Sequence, residues 1–363
     1  MLIVRILQEL GLKKIIPSLV TLIIVIGGFL VWPSPVDSVA WHVPVAKPLN
    51  MASQSMADAR IIPLSGAGPE DIAVDSQGRI YGGLHDGRII RIGLNGKEEV
   101  FATINGGRPL GLHFDKQQNL IVADAWKGLL SFDQAGTMTV LSTESDGLPF
   151  LFTDDLDIAS DGRIYFSDAS YQYPQPDYIL DLIESRPYGR LLRYDPSTGE
   201  TETLLGGLYF ANGIALSQNE DFVLVNETGR YRVSRYWLKG EKAGSTDTFI
   251  DNLPGYPDGI SANRQGTFWL ALPNPRSPQL DQLHSDPAAK NLMMKLPAWL
   301  HPLPPQQGHV LALNEQGEIT ARYLDSHGEK VWMVTSAQQE GNCLYLGSLE
   351  APQIVVIELD KKP

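Results

Sequence analysis

The chain has 363 residues, 43% of them hydrophobic, and a formal net charge of −13 at pH 7. This balance supplies a sizeable core and excludes the basic surface that nucleic acid requires. A lone cysteine, Cys343, rules out an intrachain disulfide; in the apolar stretch NCLYLG it reads as a small core residue.

The N-terminal part carries an uncharged run from Ile15 to Trp32, IIPSLVTLIIVIGGFLVW. At 1.5 Å per residue it would span roughly 27 Å, close to the thickness of a bilayer core. Arg5, Lys13 and Lys14 precede it and put the N-terminus on the cytoplasmic side. Residues 1–40 are therefore expected to form a signal anchor, with a transmembrane helix over about 15–32 and the rest of the chain outside the cytoplasm. The alternative is a cleaved signal peptide, with Ser38-Val39-Ala40 as the small-residue site. Beyond Pro33 the chain contains Pro and has no period, so residues 41–59 read as a linker. The folded unit is expected over 60–363.

There a phrase recurs: an apolar strand, a polar turn, then a second apolar strand. It reads DIAVDSQGRIYGGL from Asp71, GLHFDKQQNLIVADAW from Gly111 and LDIASDGRIYFSDAS from Leu156. Further copies start at Gly213 and Gly259, and a worn one ends in NCLYLGSLEAPQIVVIEL from Asn342. Repeats of roughly 40–50 residues built from such units mark a β-propeller, and counting copies gives six blades. The expected fold class is all-β: a six-bladed β-propeller with the N-terminal transmembrane helix and short helical insertions. One insertion follows SDAS and includes a helical stretch from Asp177 to Glu184. The other follows Trp269, with apolar helical faces broken by Pro287 and Pro297. It would cap the axis, pack on the rim or lie on a membrane surface.

Oxygen-bearing residues precede the first strand in four copies: Glu70 in GPEDIAVD, Asp154 and Asp155 in FTDDLDIA, Asn212 in FANGIALS, and Asp258 in YPDGISAN. Taken singly, each is a turn residue bonding local backbone. Taken together at one repeat position, they make an oxygen-only set that suits Ca²⁺ better than a soft metal. Arg108, Asp124 and Trp126 belong to a neighbouring copy and are candidates for a substrate pocket. Asp124 and Asp168 occupy equivalent positions, VADAW and FSDAS, so a structural role in tying blades is the competing reading.

At these motifs the chain resembles the six-bladed propellers of the gluconolactonase, regucalcin, paraoxonase and strictosidine synthase superfamily. It is most similar to the strictosidine synthase-like branch that holds the adipocyte plasma-membrane-associated proteins. PEDIAVD, RPLGLHFD, LIVADAWKGLL, IYFSDAS, GRLLRYDPSTGETETLL, FANGIALS, LPGYPDGI and LYLGS carry the resemblance. It implies one axial calcium held by Glu70, Asp154, Asn212 and Asp258, with Asp154 where the family usually has Asn. It also implies hydrolysis of a small lactone or ester, the metal polarising the carbonyl and a carboxylate activating water. Asp258 is the family's usual base and Asp155 the second choice. Two departures narrow the activity. Ser336 stands near the position of the glutamate used for alkaloid condensation, so strictosidine synthesis is not expected. Leu110 replaces the histidine of paraoxonases. A non-catalytic propeller that binds a ligand or partner, with a structural calcium, is the alternative.

Overall fold

Leu120 and Ile121 are neighbours in sequence but face opposite ways, and both are buried. Leu120 and Val122 pack on Tyr81 and Ile89, whereas Ile121 and Ala123 pack on Phe166 and Leu192. A strand apolar on both faces belongs in a sheet covered on both sides. Leu191 and Leu192, Val223 and Leu224, and Val310 and Leu311 divide in the same way between two neighbouring clusters. Radially stacked sheets are the arrangement that satisfies this pattern all round.

The computed structural model describes residues 31–301 and 305–359, with positions 20, 21 and 27–29 before them. Among the described residues the strands form six four-stranded antiparallel sheets, one of which gains a parallel fifth edge strand, and one separate two-stranded hairpin over 144–149. Six apolar clusters fill the six spaces between adjacent blades. The innermost strands are Ile72–Val74, Pro109–Phe114, Thr153–Ile158, Ala211–Leu216, Ile260–Ala262 and Val334–Glu340. Each neighbours the next around the axis, and the sixth meets the first. The ring is closed by Arg60–Pro63, which supplies the outer strand of the last blade by pairing with Gln353–Glu358.

The expected helix in the first insertion is present as α1, Tyr178–Glu184. The second insertion holds α2, Pro278–Leu283, and α3, Pro287–Met293. Here Pro287 opens a helix instead of breaking one. Its fixed φ suits the first helical position, and Asp286 caps the turn by accepting from the Ala289 N–H at 3.0 Å. Val36, Tyr173, Ile183 and Met294 form a cluster that joins the two insertions.

Residues 36–45 lie as a strap on the insertions. The Val39 N–H donates to Glu184 O and the Trp41 N–H to His284 O. Lys290 Nζ donates to Val39 O at 2.7 Å, and the Arg230 guanidinium covers the Trp41 ring. Farther on, Gln54–Ser55 adds the parallel edge strand to the fifth blade, and Met56 is buried in the core. Aperiodic sequence reads as linker, yet the Val39 and Trp41 N–H groups find backbone carbonyls and its carbonyls find side-chain donors, all distant in sequence.

Most of the apolar run over 15–32 lies outside the described residues, and so does the expected transmembrane helix. Among the described residues no helix is long and apolar enough to cross a membrane.

Candidate functional site

The inner strands share a local irregularity. Register slips between Pro109 and Leu112, Thr153 and Leu156, Ala211 and Ile214, and Val334 and Ser336. Such bulges re-aim side chains. Aligned by their strand pairing, the six blades present Glu70, Leu110, Asp154, Asn212, Asp258 and Thr335 at one level. The next level holds Asp71, Gly111, Asp155, Gly213, Gly259 and Ser336. All these residues except Gly213 line one axial cavity.

Three glycines of the second level allow the strands to close on the axis. A Cβ at Gly111 would lie 2.8 Å from Asp155 Cα, one at Gly213 2.4 Å from the Ile260 nitrogen, and one at Gly259 2.5 Å from Thr335 O. Larger residues would push the blades apart.

The site is strongly acidic, with one cation against it. Arg108 Nη2 sits 3.3 Å from Glu70 Oε2, while Arg108 Nη1 donates to Gly68 O at 2.9 Å. Burial raises the Glu70 pKa, Arg108 opposes this, and Asp71 adds to it. Asp154 is held well above the ordinary carboxylate range by burial, then by the charges of Glu70, Asp258 and Asp155. Asp258 is raised by burial and by Glu70, against the Asn212 side chain and the Gly259 N–H. Burial pushes Asp71 up to about 6.

Glu70, Asp154, Asn212 and Asp258 are thus brought together, and Asp155 with them. The Asp155 carboxylate is already engaged: Oδ1 accepts from Leu156 N at 2.8 Å and Oδ2 from Ile214 N at 2.8 Å. Asp71 likewise accepts from Leu112 N at 2.9 Å, and Asp157 from Leu216 N at 2.8 Å. These aspartates tie the first inner strand to the second and the third to the fourth. The sequence reading missed Asp71 in this role, although PEDIAVD and TDDLDIA align it with Asp155.

The expected pocket residues separate. Arg108 lies beside the ring through Glu70. Asp124 is fully buried, and its Oδ1 accepts from Trp126 N and Lys127 N at 3.0 and 2.9 Å. It shapes a turn rather than lining the cavity, and Trp126 points to solvent. Asp168 also serves structure, through Phe152 N and a 2.6 Å ion pair with Arg190. Leu110, at the level of the ring, packs in an apolar cluster with Ala125, Phe152, Ala169 and Phe210, joined by Tyr178 and Leu182 of α1. Burial raises the Tyr178 pKa, with the charges of Glu350, Asp258 and Glu70 adding to it.

The donor set tests a metal directly. Among the described residues no three His, Cys, Asp or Glu side chains converge on one point at metal-holding distance. The donors facing the axis are nevertheless oxygens only: three mutually repelling carboxylates, an amide and the Thr335 hydroxyl. This chemistry fits a hard divalent cation and is unsuited to a soft one.

A family model for strictosidine synthase matches residues 154–241, and one for the strictosidine synthase-like N-terminal region matches residues 52–92. The chain is similar to protein strictosidine synthase-like 13 of Arabidopsis thaliana, 37% identical over 74% of this chain and 76% of that protein. It is similar to the adipocyte plasma membrane-associated protein of Bos taurus, 35% identical over 80% and 76% of the two chains. A gluconolactonase structure from Xanthomonas campestris shares the fold with a TM-score of 0.61 at 17% identity, covering 90% of this chain and 99% of that one. A structure of the calcium-binding protein regucalcin from Agrobacterium tumefaciens gives 0.59 at 15% identity, covering 85% and 95%. The chain belongs to the strictosidine synthase-like family of six-bladed propellers, together with the adipocyte plasma membrane-associated proteins.

Proposed function

We propose that the protein is a calcium-dependent hydrolase of small lactones or esters. The observation that carries this reading is the axial ring of Glu70, Asp154, Asn212 and Asp258, gathered in one cavity with its carboxylates repelling one another. The same fold in structures titled gluconolactonase and regucalcin supports it. Glu70, Asp154, Asn212 and Asp258 would hold the cation, which when bound supplies Lewis-acid polarisation of a carbonyl. Asp258 is the group to take a proton from water at a carboxylate oxygen. Both Asp155 oxygens are held by backbone N–H groups, which ranks it second. The apolar cluster of Phe152, Phe210 and Tyr178, joined to the ring by Leu110, would exclude bulk water from the bound acyl group. That same cluster also supports the second reading, a ligand-binding propeller with a structural calcium. Release of acid from a panel of lactones and esters, with and without chelator, separates the two. Chelator-sensitive turnover supports the hydrolase; no turnover across the panel favours the binding module.

The cellular setting is part of the proposal. The uncharged run over 15–32 would anchor the chain as a single-pass protein, N-terminus in the cytoplasm and propeller outside it. Relatives named for association with the plasma membrane support this. Extraction of membranes at alkaline pH tests it: an anchored chain stays in the pellet.

A further inference from the structure

Exposed large apolar side chains are distributed unevenly between the two ends of the propeller. Each inner strand starts at the ring end of the axis. Turns between second and third strands therefore lie at that end, as do connections between blades. Trp126, Leu148, Leu151 and Ile179 stand exposed in such segments, and Trp299 and Leu300 in the second insertion. Trp299 is 79% exposed and Trp126 43%. At the opposite end, among the described residues, Leu94 stands exposed in a turn and Met138 opens an outer strand.

The chain itself indicates what covers this crown. Val36 is buried against the insertions at the ring end. The uncharged run ends at Trp32, and four residues reach at most ~14 Å. Wherever that run inserts, the ring end must follow within this distance. A run of that length and polarity inserts into a bilayer. Tryptophan at the rim suits the headgroup level, and the exposed Lys127 beside Trp126 can reach lipid phosphates.

We infer that the ring end rests on a lipid bilayer, with Trp126, Trp299 and Leu300 dipping into the interface and the capped site facing the membrane. This contact rests on the proposed anchor for its occupant and is independent of what the site catalyses.

The test uses the full chain with Cys343→Ser, carrying one new cysteine at a time: Trp299→Cys, Trp126→Cys or Leu94→Cys. Each is labelled with an environment-sensitive fluorophore and reconstituted into phosphatidylcholine vesicles containing some phosphatidylserine. Nitroxide-labelled lipids are the quencher. Labels at 299 and 126 should be quenched several-fold more than the label at 94. Because all three sites are exposed, folding is preserved, and unchanged thermal unfolding of each variant verifies it. Equal quenching at the two ends overturns the inference. So does a spectral shift at 299 that follows protein concentration instead of lipid, because a second copy would then cover the face.

Discussion

The guanidinium of Arg108 lies 3.3 Å from the carboxylate of Glu70, and both side chains are withdrawn from water. It is the positive charge that faces Glu70 in the acidic ring. Removing one member of a buried pair leaves an uncompensated charge and costs about 3–5 kcal/mol. Arg108→Met should therefore destabilise the metal-free protein by that order. Adding Glu70→Gln to the same chain should recover much of the loss. Urea unfolding of the two variants checks this; an Arg108→Met protein as stable as wild type would show the pair to be idle.

Cation binding should relieve the same repulsion. A ligand that binds only the folded state adds about 2.7 kcal/mol at a hundredfold excess over Kd. Chelator should lower Tm and Ca²⁺ should restore it. Asp154→Asn removes one of three repelling carboxylates, so its metal-free Tm should rise above wild type while its calcium affinity falls. Differential scanning fluorimetry with and without chelator reads both effects. If neither protein responds to calcium, the ring does not bind it.

The ring was legible in the sequence because four blades keep an oxygen side chain at one repeat position. The sixth blade was not, since MVTSAQQ has lost the pattern and Thr335 aligns with Glu70 only through strand pairing. Asp124 carried two readings for a physical reason. A turn that accepts its own backbone N–H groups needs the same residue type as a pocket carboxylate. The strap over 36–45 left no periodic signal, because its partners lie in the insertions more than a hundred residues away.

Asp258→Asn keeps an oxygen donor and loses the proton acceptor. Under the hydrolase reading, turnover at saturating Ca²⁺ should fall about 10²-fold or more. Calcium affinity should fall less than for Asp258→Ala. Equal rates for Asp258→Asn and wild type would remove this residue from the chemistry and leave it as a ligand.

His309 gives a pH signature outside the site. It is buried, with Arg322 Nε donating to its Nε2 at 3.1 Å. Burial, then Arg322, push its pKa down to about 3. The unfolded chain takes up a proton near pH 6.5 while the folded chain does not, so stability falls as pH drops below that value. Between pH 7 and pH 5 this one residue should cost about 2 kcal/mol. His309→Gln removes the term, so the stability gap between variant and wild type should move by that amount in favour of the variant. A gap independent of pH would mean that His309 takes up its proton as readily in the fold as in the unfolded chain.

The strap predicts where the chain can be shortened. Lys290 is buried, with its Nζ on Val39 O and on Ser185 Oγ at 3.0 Å. Burial, then Arg230, hold its pKa at about 8, so near neutral pH it is a buried cation satisfied in part by the strap. A chain starting at Ser34 keeps these partners and should unfold at a Tm near that of the full-length protein. A chain starting at Leu49 loses the Val39 carbonyl and the buried Val36 side chain. Losing a hydrogen bond to a charged group costs about 1.5–3 kcal/mol, which lowers Tm by several degrees in a domain of this size. Lys290→Met in the shorter chain should regain part of that loss, since the cation that needed the strap is gone. In the longer chain the same substitution should destabilise, because Val39 O and Ser185 Oγ then lose their donor. Opposite signs in the two backgrounds are the expected result, read from thermal unfolding of the four proteins. The same sign in both would show that the strap lies on the insertions without supporting Lys290.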